Sequence, residues 1–190
     1  MHIGIYIYPQ AEVLDFAGPF EVFTTASRLS PEGEGFEVSL IAQKAPTVVA
    51  RGGFEVSPHH CIDDHPPLDV LLVAGGVHQP ELDNAPVLAW VKQQSEQVKL
   101  VASVCTGVFL LAEAGVVRNQ RVTTHWEDMP ALRERYPHLD VIAGERWIDN
   151  EKCVTSAGIS AGIDMSLHLV ARLKGEALAR ATARQMEFDW

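Results

Sequence analysis

The chain has 190 residues, 47% of them hydrophobic and 21% charged, which suits one soluble domain with a sizeable core rather than two. A formal net charge of −10 argues against a nucleic-acid surface, and no apolar run approaches the length of a bilayer span. Three cysteines make no disulfide framework, and the amino terminus enters a strand pattern with no basic region or cleavable apolar segment, so the reading is a reducing cytoplasm without a signal peptide.

Residues 3–8 form a short β-branched and aromatic run, a central strand. After a loop at 9–12, Leu14-Asp15-Phe16-Ala17 leads to Gly18-Pro19. Pro19 suits the first turn of a helix whose apolar stripe is Phe20, Val22, Phe23 and Ala26. Asp15 is a carboxylate between two large apolar residues, to be read either as a helix cap or dipole partner or as a functional acid. Residues 36–42 alternate as a strand, and 47–49 with 54–56 flank Gly52-Gly53 as a small hairpin. His59-His60-Cys61-Ile62-Asp63-Asp64-His65 is rich in metal-ligating types, but they are nearly contiguous. One short turn cannot aim neighbours at one ion, so the tract reads as a polar surface turn and no metal is expected.

Residues 68–73 are the next buried strand, ending in Ala74-Gly75-Gly76-Val77. Glycines there either make a plain tight turn or bring the amides of Gly75, Gly76 and Val77 close to a ligand. Residues 86–97 form an amphipathic helix. Then comes Leu100-Val101-Ala102-Ser103-Val104-Cys105-Thr106-Gly107, a buried strand running into a cysteine, followed by an apolar helix that starts near Thr106 and ends at Gly115. This is the pattern of a nucleophile elbow with Cys in place of Ser, with Cys105 at the positive end of a helix, which favours thiolate. The plainer alternative is a small buried hydrophobe. Residues 121–124 form a strand, and a helix from Thr124 or His125 runs to about Tyr136. Segments 139–143 and 146–149 flank a turn, 152–156 are a last strand, and helices follow over 159–173 and 177–186. Cys153 reads as core, Cys61 as part of the polar turn, and Asp164 as a cap or helix-end contact.

Strands alternating with helices predict an α/β fold with a mostly parallel sheet covered on both faces. Ligands bind beyond the carboxyl ends of such strands, where Asp15, Gly75-Gly76, Cys105 and His125 all fall. Convergence on one sheet edge strengthens Cys105 as a functional residue.

These segments, with Thr123-Thr124-His125-Trp126 and Ser156-Ala157-Gly158-Ile159-Ser160-Ala161-Gly162-Ile163-Asp164, resemble the DJ-1/PfpI (ThiJ/PfpI) superfamily, which includes class I glutamine amidotransferase-like domains. Within it they look most like isonitrile hydratase and the ligand domains of GlxA-type AraC-family regulators. The resemblance implies a flavodoxin-like three-layer sandwich, a homodimer, and Cys105 as elbow nucleophile on a strained backbone. It places Asp15 where DJ-1-like members carry a glutamate beside the thiol. An Asp there, with Thr106 after the Cys, is the isonitrile hydratase pattern. Peptidase-like members have His after the Cys, so Thr106 weighs against a Cys-His protease dyad, and in this subgroup His125 and Trp126 are possible rather than established site residues. The regulators carry a further DNA-binding domain for which 190 residues leave no room.

The expected chemistry is hydration of an isonitrile to an N-substituted formamide. Cys105 attacks the terminal carbon and Asp15 protonates it. Water then attacks the thioimidate with Asp15 as base, and the amides of Gly76, Val77 and Thr106 face substrate. Alternatives are a glyoxalase III-like or amidase activity, a redox sensor oxidised at Cys105, and a metabolite-binding module. The expected partner is a small molecule, with no cofactor, membrane or nucleic acid.

Overall fold

The computed structural model describes every residue except Ala45. In chain order the elements are β1 (His2–Tyr6), α1 (Val13–Leu29), β2 (Glu37–Ala42), β3 (Val48–Val49), β4 (Glu55–Val56), β5 (His60–Cys61), β6 (Val70–Val73), α2 (Gln79–Leu82), α3 (Ala85–Gln97), β7 (Leu100–Ser103), α4 (Gly107–Glu113), β8 (Arg121–Val122), α5 (Met129–Arg135), β9 (Asp140–Val141), β10 (Trp147–Asn150), β11 (Cys153–Ser156), α6 (Ala161–Lys174) and α7 (Glu176–Gln185). The central sheet has seven strands in the order β10-β11-β7-β6-β1-β2-β5, parallel throughout except where β10 meets β11. This is the expected α/β sandwich.

Residue alternation explains the layers. Ile3, Ile5 and Ile7 point to one side, among Phe16, Val22 and Phe23 of α1 and Met165 and Leu169 of α6. Tyr6 and Tyr8 point to the other, among Trp90 and Val91 of α3 and Phe109 and Leu110 of α4. Each large side chain sealed this way contributes about 1.5–3 kcal/mol relative to exposure. The Tyr6 hydroxyl is buried with them but donates to Glu81 Oε2 at 2.7 Å, so it is not left unpaired.

The topology fixes where a ligand belongs. From β1 the chain moves outward to β2 and β5, then returns to the opposite flank of β1 as β6. The order therefore reverses between β1 and β6, and a crevice opens there beyond the strand ends. Asp15 follows β1, Gly75 follows β6 and Cys105 follows β7.

Several local expectations change. Pro19 does not open its helix; α1 begins six residues earlier, at Val13, and Pro19 lies inside it. A proline there forgoes one backbone bond to residue 15, and burial of Phe16, Pro19, Val22, Phe23 and Ala26 along one face holds the helix together regardless. The histidine-rich tract is more than a surface turn. His60 and Cys61 pair with Ile41 and Ala42 as the sheet's last strand, with the Leu40 and Ala42 carbonyls accepting from the His59 and Ile62 amides. Its side chains are employed locally: His59 Nδ1 accepts from the Leu40 amide and His65 Nε2 from the Trp90 indole, each at 2.9 Å. Residues 121–122 join 140–141 in a separate parallel pair instead of the central sheet, and β10 turns back on β11 rather than on the segment before it. The predicted helix from 124 or 125 begins as a 3₁₀ turn over Trp126–Asp128 that leads into α5.

Candidate functional site

Cys105 sits at the junction of β7 and α4 with φ of 55°, a conformation costly for a residue with a side chain. Three bonds hold it there. Its amide donates to Ala157 O at 3.3 Å, its carbonyl accepts from Thr124 Oγ1 at 2.8 Å, and the preceding Val104 amide donates to Val73 O at 3.0 Å. The residue is 7% exposed.

Asp15, in the first turn of α1, is fully buried. Its Oδ2 accepts from the Gly75 amide at 3.1 Å, while Oδ1 has no hydrogen-bond partner among the described residues. A buried carboxylate with one oxygen unsatisfied is expensive, which makes a purely structural cap a poor account of it. Gly75 is the spacer between the two groups. A Cβ on it would lie 2.6 Å from Asp15 Oδ2, 2.7 Å from Thr106 N and 2.8 Å from Cys105 Cβ. Gly75→Ala is therefore expected to push Asp15 and Cys105 apart and to lower turnover by about 100-fold, the scale of an ångström-sized misplacement. Steady-state kinetics on protein of unchanged circular dichroism checks this.

The electrostatics couple the two side chains. Burial pushes Asp15 up to about 7, helped by the charge of Glu12, while the Gly75 amide, the Cys105 thiol and the Ile159 amide pull it back. Burial, then the Asp15 carboxylate, pushes the Cys105 thiol above the ordinary cysteine range, and the Thr106 amide opposes this. The position ahead of α4 does not make a free thiolate here, contrary to the expectation from sequence. Desolvation outweighs one short helix, and a neighbouring carboxylate repels a second negative charge. The thiol therefore keeps its proton while Asp15 gains or loses one near neutrality, so above about pH 7 the pair holds a single proton.

A cavity of 390 Å³ opens over Cys105, lined by Cys105, Thr106, Gly76, Val77 and His125 among others, while Asp15 and Gly75 lie behind the thiol and do not line it. That volume suits a small molecule. Of the amides expected to meet substrate, that of Thr106 faces the Cys105 sulfur, and the glycine-turn amides are committed elsewhere. Gly75 N serves Asp15, Gly76 N donates to Thr106 Oγ1 at 2.9 Å, and Val77 N donates to Gln10 O at 3.1 Å. The Thr106 hydroxyl in turn donates to Gly76 O at 2.9 Å, so it locks the glycine turn. His125 reaches the cavity; Trp126 does not line it and stands 71% exposed. Asp164 is paired with Arg146, a contact at the start of α6 as expected. Cys153 is buried in the core and Cys61 half-buried.

Sequence reasoning passes over Arg51, Glu12 and Ile159, which also line the cavity. Arg51 arrives on the small hairpin, whose tip folds back so that the Arg51 amide donates to Ala11 O at 3.0 Å; nothing local signals this. Ile159 has a signal, since it lies just past the end of β11, and its φ of 54° is unusual for a β-branched residue.

A model of the DJ-1/PfpI family matches residues 1–172. The chain is 31% identical to the isonitrile hydratase of Pseudomonas putida over 190 residues, 99% of this chain and 78% of that protein. It is 27% identical to the HTH-type transcriptional regulator GbdR of Pseudomonas aeruginosa over 187 residues, 98% of this chain but only 50% of the regulator. The crystal structure of a ThiJ/PfpI family protein from Pseudomonas syringae superposes with a TM-score of 0.87 at 26% identity, covering all of this chain and 75% of the other. The chain belongs to the DJ-1/PfpI family.

Proposed function

We propose that the chain is a cysteine-dependent enzyme that hydrates isonitriles to N-substituted formamides, with Cys105 as nucleophile and Asp15 as its proton partner. The observation that carries this reading is the buried Asp15–Cys105 pair, whose thiol lines a cavity of small-molecule size. An isonitrile carbon must gain a bond to a nucleophile and a proton together. A thiol and a carboxyl group that hold one proton between them supply both without leaving two charges buried. Sulfur bonds to the terminal carbon, the shared proton goes to that same carbon, and a thioimidate remains beside an Asp15 carboxylate. The 31% identity to an isonitrile hydratase supports the same reaction class.

With the amides of Gly75, Gly76 and Val77 committed, their role in this reading is to hold Asp15, Thr106 and the loop in place rather than to bind substrate. The test is formamide production from an aryl isonitrile. Loss of isonitrile absorbance with equimolar formamide supports the reading, and unchanged isonitrile refutes it.

A second reading has its own support. The likeness to half of a transcriptional regulator favours a domain that binds a small metabolite without converting it. Saturable binding of a small molecule in the cavity with no turnover, unaffected by Cys105→Ala, would favour that reading.

A further inference from the structure

The first half of the proposed reaction leaves Asp15 as a carboxylate, the base expected for the incoming water, but Asp15 is fully buried and does not line the cavity, so a carrier that does line it is better placed for the second half. Water must add to the thioimidate carbon, losing a proton, while the nitrogen gains one. We propose that His125, oriented by Asp128, is that carrier, an inference that rests on the isonitrile reading above.

Two independent tethers place His125 over the elbow. Thr124, the residue before it, donates through Oγ1 to the Cys105 carbonyl at 2.8 Å. On the other side the imidazole packs against Gly158, whose missing side chain makes the space that the ring fills. Gly158 follows Ala157, the acceptor of the Cys105 amide. The ring is therefore gripped between two segments that are each bonded to Cys105, and both side chains line the same cavity.

The ring is also oriented. Nδ1 lies near the carboxylates of Asp128 (Oδ2 at 3.5 Å) and Glu127 (Oε2 at 3.8 Å), charge contacts rather than hydrogen bonds, and Nε2 has no hydrogen-bond partner among the described residues. A carboxylate at Nδ1 favours the tautomer with its proton there and leaves Nε2 as acceptor. The same cavity is lined by Glu12 and Arg51, which interact with each other at 3.8 Å.

Nε2 takes a proton from water as the oxygen bonds to the thioimidate carbon, then hands it to the substrate nitrogen. The resulting N–CH(OH)–S intermediate gives its hydroxyl proton to the Asp15 carboxylate as the carbon–sulfur bond breaks. Formamide leaves, and Asp15 and Cys105 again hold one proton. No oxidant or cofactor enters.

The experiment compares wild type with His125→Gln, His125→Ala, Asp128→Asn and Gly158→Ala, using an aryl isonitrile, formamide quantification and intact-protein mass spectrometry. The expected result is about a 100-fold slower turnover in His125→Gln. It comes with accumulation of a covalent adduct of one isonitrile mass, mapped to Cys105 and absent from the Cys105→Ala/His125→Gln double variant. Added imidazole should partly restore His125→Ala. Asp128→Asn and Gly158→Ala, which free or displace the ring, should show the same adduct at intermediate rates. A structural role for His125 does not produce a trapped adduct. Wild-type turnover in His125→Gln, or activity lost without an adduct, overturns the inference. Wild type that is neither active nor labelled removes the isonitrile reading itself.

Discussion

Cys105→Ala is expected to abolish isonitrile turnover, a loss on the order of 10⁴-fold or more, as when the nucleophile is removed from other covalent enzymes. The substitution removes one buried sulfur and keeps a Cβ, so the left-handed backbone at this position is no more strained than before. Thermal stability should change by about 1 kcal/mol or less. Cys153→Ala is the control. Cys153 is also buried, and desolvation pushes its thiol up to about 12, but it lies within β11, outside the cavity. It should keep full turnover. Formamide assays on the two variants separate a reactive thiol from a merely buried one.

Asp15→Asn is expected to slow turnover by about 10²–10⁴-fold, because the amide can still accept from Gly75 but can neither share nor carry the proton. It should also change how stability depends on pH. The folded Asp15 is pushed up to about 7 from an ordinary 3.8, so between those values the native state retains a proton that the unfolded chain has released. Wild-type stability therefore falls as pH rises across that window, by something on the order of 4 kcal/mol over its whole span. The asparagine of the variant does not titrate, so this dependence vanishes with the carboxyl group. The stability of Asp15→Asn relative to wild type should increase steadily from pH 4 to pH 7 and level off above it. Urea denaturation at pH 4, 6 and 8 measures this, and parallel profiles for the two proteins would mean that Asp15 is not held protonated by burial.

The parts of the fold that are legible in the sequence are those governed by local pattern. Runs such as residues 70–73 and 100–102 are apolar on both faces, and only a central parallel strand buries both. The elbow is equally visible, since a cysteine between a β-branched strand and a helix opening at Gly107 fits few arrangements besides a strand-to-helix turn. The long start of α1 is hidden because proline at position 19 argues locally for a helix beginning, and only the tertiary burial of its stripe overrides that. The state of the thiol is hidden for a related reason. The helix end is written in the sequence next to Cys105, whereas the carboxylate and the desolvation that dominate come from residues far along the chain. The glycine turn at 75–76 can be placed at the site, but not its bonding, because Gln10 and Thr106 reach it only through the fold. Arg51 is invisible for the same reason.

Whether Asp15 and Cys105 together add a thiol across an isonitrile carbon is decided most sharply by wild-type turnover of an aryl isonitrile in deuterium oxide. Mass spectrometry and proton NMR of the product then follow the new carbon-bound hydrogen. The expected product is formamide carrying deuterium at the formyl carbon, formed only while Cys105 is free. Recovered isonitrile, with Cys105 still open to alkylation, would contradict that addition.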